Sequence, residues 1–302
     1  KYYGGLNLIY SAGITKSSDG TVWIGQEDGL TGLQENGDGD RLEFSYPDIP
    51  KGRVNTVEWD GERLWVGTYH GAASLIRSPS GWKVESIYNS SNGLCSDSVN
   101  VIKSTGHSLW FASYLDHKNG GISIWDNDGT HFITVADGLP HAYVTSLQYL
   151  GDEKMLVGTG YMDDGGLALV QKINGEYKIT ATFFSENGVP GEKVRQLFLD
   201  EDGYLWITTE YDGVLILNYA EDGLQSELQG MYLKEENGLS DNEIKCLIKV
   251  KDSYLLIVGK ILGNSSLAIG GTSIIIVVGV ALETVRALES QMMMRQYKGF
   301  LE

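Results

Sequence analysis

The sequence is short of cysteine, proline and positive charge. Of its 302 residues only two are Cys, Cys95 and Cys246, and they lie far apart. Two distant thiols build neither a disulfide framework nor a metal pair, so both read as small buried or half-buried residues. Five prolines against 39 glycines leave the tight turns to Gly. Basic residues number 23 against 40 acidic ones, a net charge of −17. A surface of that sign repels phosphates and excludes nucleic acid as a partner, while sugars, peptides and cations remain compatible. There is no G-x-S-x-G elbow, no Walker loop and no twelve-residue calcium loop. No His stands at helical spacing from a second metal ligand. No catalytic residue, metal or cofactor is therefore assigned. The chain opens without a secretion signal, and Lys1 is not an initiator Met, as in a mature form or a fragment.

What is present is a repeat. "DGTVWIGQEDGL" (19–30), "GERLWVGTYHGA" (61–72) and "GHSLWFASYLDHKNGG" (106–121) share one pattern with "DEKMLVGTGYMDDGG" (152–166), "DGYLWITTEYDGV" (202–214) and "DSYLLIVGK" (252–260). The central large residue falls at Trp23, Trp65, Trp110, Leu156, Trp206 and Leu256, spaced by 42 to 50 residues. A second signal runs in phase: "NGLCSDSV" (92–99), "DGLPHAYV" (137–144), "NGVPGEKV" (187–194) and "NGLSDNEI" (237–244). Its Asn-Gly and Asp-Gly pairs supply the positive φ of a tight turn. Each unit divides into four short strands, which predicts an all-β fold, a β-propeller of about six four-stranded blades over residues 1–260. The large residue of each second strand is expected to pack between blades.

These residues carry a resemblance. The succession [ND]-G-[LV]-x(4)-[VI], D-G-x-L-W-[IV]-G-T and G-G-L resembles the two-component regulator propeller repeat, which builds extracytoplasmic sensor regions of bacterial signalling proteins. The resemblance implies the fold firmly and the function loosely. "KYYGGLNLIY" (1–10) is similar to the third-strand entry of a blade. Residues 5–10 are therefore expected to pair with 254–260 and close the ring.

The turn after the second strand repeats an aromatic residue. With equivalent turns gathered on one propeller face, Tyr69, His70, Tyr114, Tyr161, Glu210 and Tyr211 form the candidate rim of a ligand site, with Tyr2 or Tyr3 in the closing blade. A small molecule, glycan or peptide is the expected ligand. The competing reading makes Tyr a residue the repeat favours for packing. Glu27, Asp28, Asp116, Asp163, Asp164 and Asp212 crowd the same turns and read as solvated turn residues ahead of Ca²⁺ ligands or acid–base pairs. Of five scattered histidines, His117 and His141 are the two expected to reach one face.

The end of the chain is different. Residues 261–282 include no charge, and as a helix would span about 33 Å, enough for a bilayer core of about 30 Å. Beyond them Arg286, Arg295 and Lys298 balance Glu283, Glu289 and Glu302, so the whole net charge belongs to residues 1–260. "GGTSIIIVVGVALETVRALESQMMMRQYKGFL" (270–301) resembles the last transmembrane helix and cytoplasmic tail of the SecY subunit of the bacterial preprotein translocase. That resemblance implies an α-helical, membrane-spanning 261–302, a cytoplasmic C-terminus, an extracytoplasmic propeller and translocase subunits as partners. Channel activity does not follow, since nothing in 1–260 matches SecY. A chimeric chain, a natural fusion and a join of two chains all remain open. So does a tail in which Leu267–Val280, rich in β-branched residues, supplies blade strands. The favoured function is a non-enzymatic ligand-sensing or protein-interaction propeller. A translocase-associated chain and a propeller lyase or glycosidase are the alternatives.

Overall fold

The computed structural model describes residues 13–34, 41–250, 253–258 and 276–277. These residues form five four-stranded antiparallel sheets and one three-stranded sheet, each a simple meander. The first blade holds β1 (Ile14–Lys16), β2 (Val22–Gln26), β3 (Gly29–Leu33) and β4 (Arg41–Phe44). The second holds β5 (Val54–Trp59), β6 (Leu64–Thr68), β7 (Gly71–Ser78) and β8 (Gly81–Tyr88). The third holds β9 (Val99–Ser104), β10 (Leu109–Ser113), β11 (Gly121–Asp126) and β12 (Gly129–Thr134). The fourth holds β13 (Val144–Gly151), β14 (Lys154–Tyr161), β15 (Asp164–Ile173) and β16 (Glu176–Phe183). The fifth holds β17 (Val194–Leu199), β18 (Tyr204–Thr209), β19 (Val214–Asn218) and β20 (Met231–Leu233), with a one-turn helix, α1 (Tyr219–Asp222), after β19. The last holds β21 (Ile244–Val250), β22 (Ser253–Val258) and β23 (Ile276–Val277).

All six anchor residues sit on second strands, and all are buried. The first five each meet the following blade. Trp23 meets Trp82 edge-on at 4.9 Å, Trp65 meets Phe111 at 5.5 Å, and Trp110 meets Tyr177 at 5.4 Å. Leu156 packs in one cluster with Leu205 and Leu215, and Trp206 lies 4.2 Å from Tyr254. Burying a side chain of this size is worth roughly 2–3 kcal/mol, so these residues form the interior of the stack. The indole N–H groups are held as well. Those of Trp23, Trp110 and Trp206 donate to Ser17, Ser108 and Asp200, polar residues of the turn before the second strand, and that of Trp65 donates to Asp60.

Two turn devices recur. At the end of the second strand a buried hydroxyl, on Thr68, Ser113, Thr159 or Thr209, donates to the carbonyl of Gly71, Gly121, Gly166 or Gly213 across the turn. That glycine is required. A Cβ at Gly71, Gly121 or Gly213 would lie 2.4, 2.4 or 2.2 Å from the fourth-strand carbonyl oxygen of Tyr88, Ile133 or Leu233. In the connection to the next blade, Asn92, Asp137, Asn187 and Asn237 accept from the backbone N–H three residues earlier. The next residue, Gly93, Gly138, Gly188 or Gly238, takes positive φ, and Leu94, Leu139 and Val189 then drop into the core.

First strands of successive blades lie side by side. Each is an edge of its own sheet, and from the third blade on side chains of the preceding blade pair with its backbone. Asn55 donates to Val99 O at 3.0 Å, and Asn100 donates to Val144 O at 3.1 Å. Thr56 accepts from Ile102 N at 3.3 Å, and Ser146 accepts from Leu197 N at 2.9 Å. Gln196 both donates to Leu247 O and accepts from Leu247 N, at 2.9 and 2.8 Å.

The expected C-terminal helix is not what the described residues show. Ile276 and Val277, inside that segment, are strand: they pair antiparallel with Leu256 and Leu255 of β22. The open hydrogen-bonding edge of β22 is the physical reason, since an unpaired strand edge takes up a further strand and β-branched residues favour strands. The alternative in which the tail supplies a blade strand is the one met here. Because β21 and β23 flank Leu255 and Leu256, the slot expected for residues 5–10 is filled there. Residues 5–10 themselves, and the remainder of 261–302, lie outside the described residues. Among the described residues no helix is long and apolar enough to cross a membrane.

Replacing Gln196 by Ala leaves two backbone groups of Leu247 unpaired, and is expected to cost about 2 kcal/mol in urea unfolding with an unchanged slope. Gly213→Ala combines positive φ with the 2.2 Å clash and is expected to cost about 3 kcal/mol. Gly61→Ala, with positive φ and nothing within 4 Å, is expected to cost about 1 kcal/mol. Equal urea midpoints for the two glycine variants would show that the fourth-strand carbonyl does not set the glycine requirement.

Candidate ligand face

The turns between second and third strands, and the connections entering the first strands, meet at one end of the stack. Backbone bonds fix this: Tyr114 N donates to Ser98 O, Gly160 N to Tyr143 O, and Glu210 N to Lys193 O. Tyr143 is buried at the centre of an aromatic cluster. Its ring lies 4.9 Å from Tyr114, 5.4 Å from Tyr161, 4.4 Å from His117 and 4.9 Å from His141. His117 is also 6.3 Å from both His141 and Tyr161. Lys193 Nζ stands 5.8 Å over the Tyr161 ring and forms a buried ion pair with Glu210, which Arg195 approaches at 3.8 Å.

The structure thus links Tyr114, Tyr161 and Glu210, through Tyr143 and Lys193. Tyr211 is exposed beside Glu210, whose charge raises its phenol. Tyr69 lies within electrostatic reach: burial raises its phenol, Arg53 opposes and Tyr114 adds. His70 is not drawn into the cluster, because its ring Nδ1 sits 3.0 Å from the Lys51 carbonyl. Asp116 accepts from Ser96 and from backbone N–H groups of its own loop, while Asp28, Asp163, Asp164 and Asp212 are exposed. Among the described residues no group of three His, Cys, Asp or Glu is placed to hold a metal ion.

Tyr143 and Lys193 escape a reading that follows the turns after the second strand. They occupy another column of the repeat, immediately before the residue that opens each first strand: Arg53, Ser98, Tyr143, Lys193 and Glu243 precede Val54, Val99, Val144, Val194 and Ile244. Aligning the units on that Val or Ile would have exposed the column.

Burial acts on Glu210, Lys193 and His141, and their partners decide the outcome. For Glu210, burial pushes the carboxyl up, but Lys193 and Arg195 outweigh it and hold it below its ordinary value. For Lys193, burial pulls the ammonium down, and Glu210 and Tyr114 more than restore it. His141 has no such compensation: burial lowers its imidazole, His117 adds to the effect, and Asp164 opposes only in part. Its Nδ1 accepts from Tyr143 N at 2.9 Å, which places the proton of the neutral ring on Nε2.

A cleft of about 290 Å³ lies apart from this face, between the third and fourth blades. Within it Asp126 accepts from Lys172 at 2.7 Å and from the Tyr177 hydroxyl at 2.9 Å, with His131 at 3.2 Å. Burial and the carboxylate push the Tyr177 phenol up to about 12. These groups satisfy one another and tie blade to blade.

The turn at Gly188, β17, the hairpin and β18 carry both repeating signals of the sequence. Residues 188–211 match the two component regulator propeller family model. Two solved structures share the fold. One is the extracellular domain of a hybrid two component system from B. thetaiotaomicron, 17% identical, TM-score 0.50, over 85% of this chain and 40% of that one. The other is PorZ, a bacterial surface component of the type-IX secretion system of Porphyromonas gingivalis, 14% identical, TM-score 0.53, over 82% of this chain and 37% of that one. At such identities the likeness is one of fold. A second, short likeness covers 12% of the chain: 37 residues are 62% identical to the SecY translocase subunit of Geobacillus stearothermophilus, of which they span 37%. The chain spans 9% of the Bacillus licheniformis SecY.

The folded His141 resists a proton that the unfolded chain accepts. Its contribution to stability is complete above the ordinary imidazole value of about 6.5 and is lost as the pH falls below it. His141→Asn keeps an acceptor two residues before Tyr143 and removes the titration. Urea midpoints measured from pH 7.5 to 5 are expected to fall less steeply in this variant than in the parent, and identical slopes would refute the assignment.

Proposed function

We propose that this chain is an extracytoplasmic binding propeller, a ligand-sensing or protein-interaction module without catalytic chemistry, which takes its ligand on the Tyr114–Tyr143–Tyr161 face. The observation that carries the reading is the aromatic cluster itself. Five rings from two blades converge at one end of the stack, joined to the Lys193–Glu210 pair of the next blade. Such a floor gives a ring or side chain a surface to stack on, while Glu210 and the exposed carboxylates around it set polarity. Of the rim expected from the repeat, Tyr69, Tyr114, Tyr161, Glu210 and Tyr211 belong to this reading, with Tyr143 and Lys193 added, while His70 stands outside the cluster. The shared fold with an extracellular domain of a two component system supports the sensing role and the location. The short SecY likeness supports a second reading, in which translocase subunits are partners. Co-purification with those subunits, lost on deleting residues 261–302, is its test.

Tyr114→Ala and Tyr161→Ala, alone and combined, are to be assayed against glycan and peptide arrays. The parent is expected to retain a ligand that the double variant binds at least tenfold more weakly, at unchanged thermal stability. A ligand bound equally by parent and double variant would place the binding site elsewhere.

A further inference from the structure

The turns around the aromatic floor end in large side chains that stand more than half exposed. Leu115, Met162 and Tyr211 are 53%, 59% and 52% exposed. They occupy the tips of the second-to-third-strand turns in three successive blades, each immediately after a residue of the proposed face: Tyr114, Tyr161 and Glu210. Leu115 and Met162 also take φ of 63° and 51°. A left-handed backbone is unfavourable at a bulky residue. Both residues nonetheless keep more than half of their surface in water. The same three turns carry five carboxylates (Asp116, Asp163, Asp164, Glu210 and Asp212) and one exposed cation, Lys118. Lys193 beneath them is buried and neutralised by Glu210.

We infer that these tips form a docking surface for an extended polypeptide segment that carries apolar side chains and net positive charge. The inference rests on the ligand-face reading above and names the class of ligand. Leu115 and Met162 offer hydroxyl-rich molecules no hydrogen bond but give apolar side chains an adaptable contact, and thioethers repack readily against varied partners. Exposed Asp163, Asp164 and Asp212 then receive Lys or Arg head groups whose aliphatic stems lie over Tyr114 and Tyr211. The charge of −17 on the whole chain steers a basic segment toward it and repels an acidic one.

The test uses the full chain and three labelled eight-residue peptides, alternating Leu/Lys, Ser/Lys and Leu/Glu, followed by fluorescence anisotropy. The Leu/Lys peptide is expected to bind at least tenfold more tightly than either of the others. Changing Leu115→Ser, Met162→Ser and Tyr211→Ser together leaves every charge in place and is expected to weaken Leu/Lys binding at least tenfold. That loss separates docking from general attraction to an acidic protein. Asp163→Asn with Asp164→Asn is expected to weaken it severalfold and flatten its salt dependence. Circular dichroism guards against unfolding. Should the triple variant unfold, Met162→Ser alone is expected to weaken binding about threefold. Leu/Lys binding unchanged in the tip variants, or equal binding of the Leu/Glu peptide, overturns the inference. If glycans then prove to bind in a manner dependent on Tyr114 and Tyr161, the ligand face stands and only the peptide assignment falls.

Discussion

The structure depends on an unsatisfied edge. Every blade begins with a strand that has a sheet neighbour on one side only, and an unpaired backbone N–H or C=O shut away from water costs as much as a lost hydrogen bond. The chain answers with side chains rather than with another strand. Asn55, Thr56, Asn100, Ser146 and Gln196 reach from one first strand to the backbone of the next. Blades therefore do not simply lie on each other through Trp and Leu. Polar bonds of defined direction set the register between them, and the apolar anchors fill the space that register leaves.

From this follows the geometry of the ligand face. Once first strands are locked side by side, the turns leaving the second strands must emerge at one end. The buried Thr or Ser hydroxyl and the glycine that follows close the base of four of these turns in the same way, whatever the length and residues of the tip. The tip is free to vary: Tyr69 and His70 in one blade, Tyr114 to Gly120 in the next, Met162 and Asp163 after that. Constancy at the base and variation at the tip is how loops on a rigid scaffold come to carry binding.

Much of the fold was legible because its causes are local or periodic. Trp23, Trp65, Trp110, Leu156, Trp206 and Leu256 announce second strands, and Asn-Gly or Asp-Gly announces the connection between blades. The site was legible in part. Tyr114, Tyr161 and Glu210 stand on the turn that repeats, whereas Tyr143 and Lys193 stand on a different column and join the cluster only through packing across blades. The tail misled for a physical reason. A run such as Ile274–Val278 is apolar enough for a helix in lipid and β-branched enough for a strand on a sheet edge, and Ile276 and Val277 lie against Leu256 and Leu255. Which solvent such a segment meets is not written in the segment itself.

The bonds between first strands carry one more implication. Donor and acceptor in each link are separated by 44 to 51 residues, which is the length of the repeat itself. Among the described residues, the third, fourth and fifth blades each offer their successor the kind of handhold they take from their predecessor. A gene segment encoding one blade can then be duplicated, lost or exchanged by recombination, and each new junction still finds its partner groups. Copy number becomes free to drift over evolutionary time, and the tips, carried along with each copy, can diverge one by one.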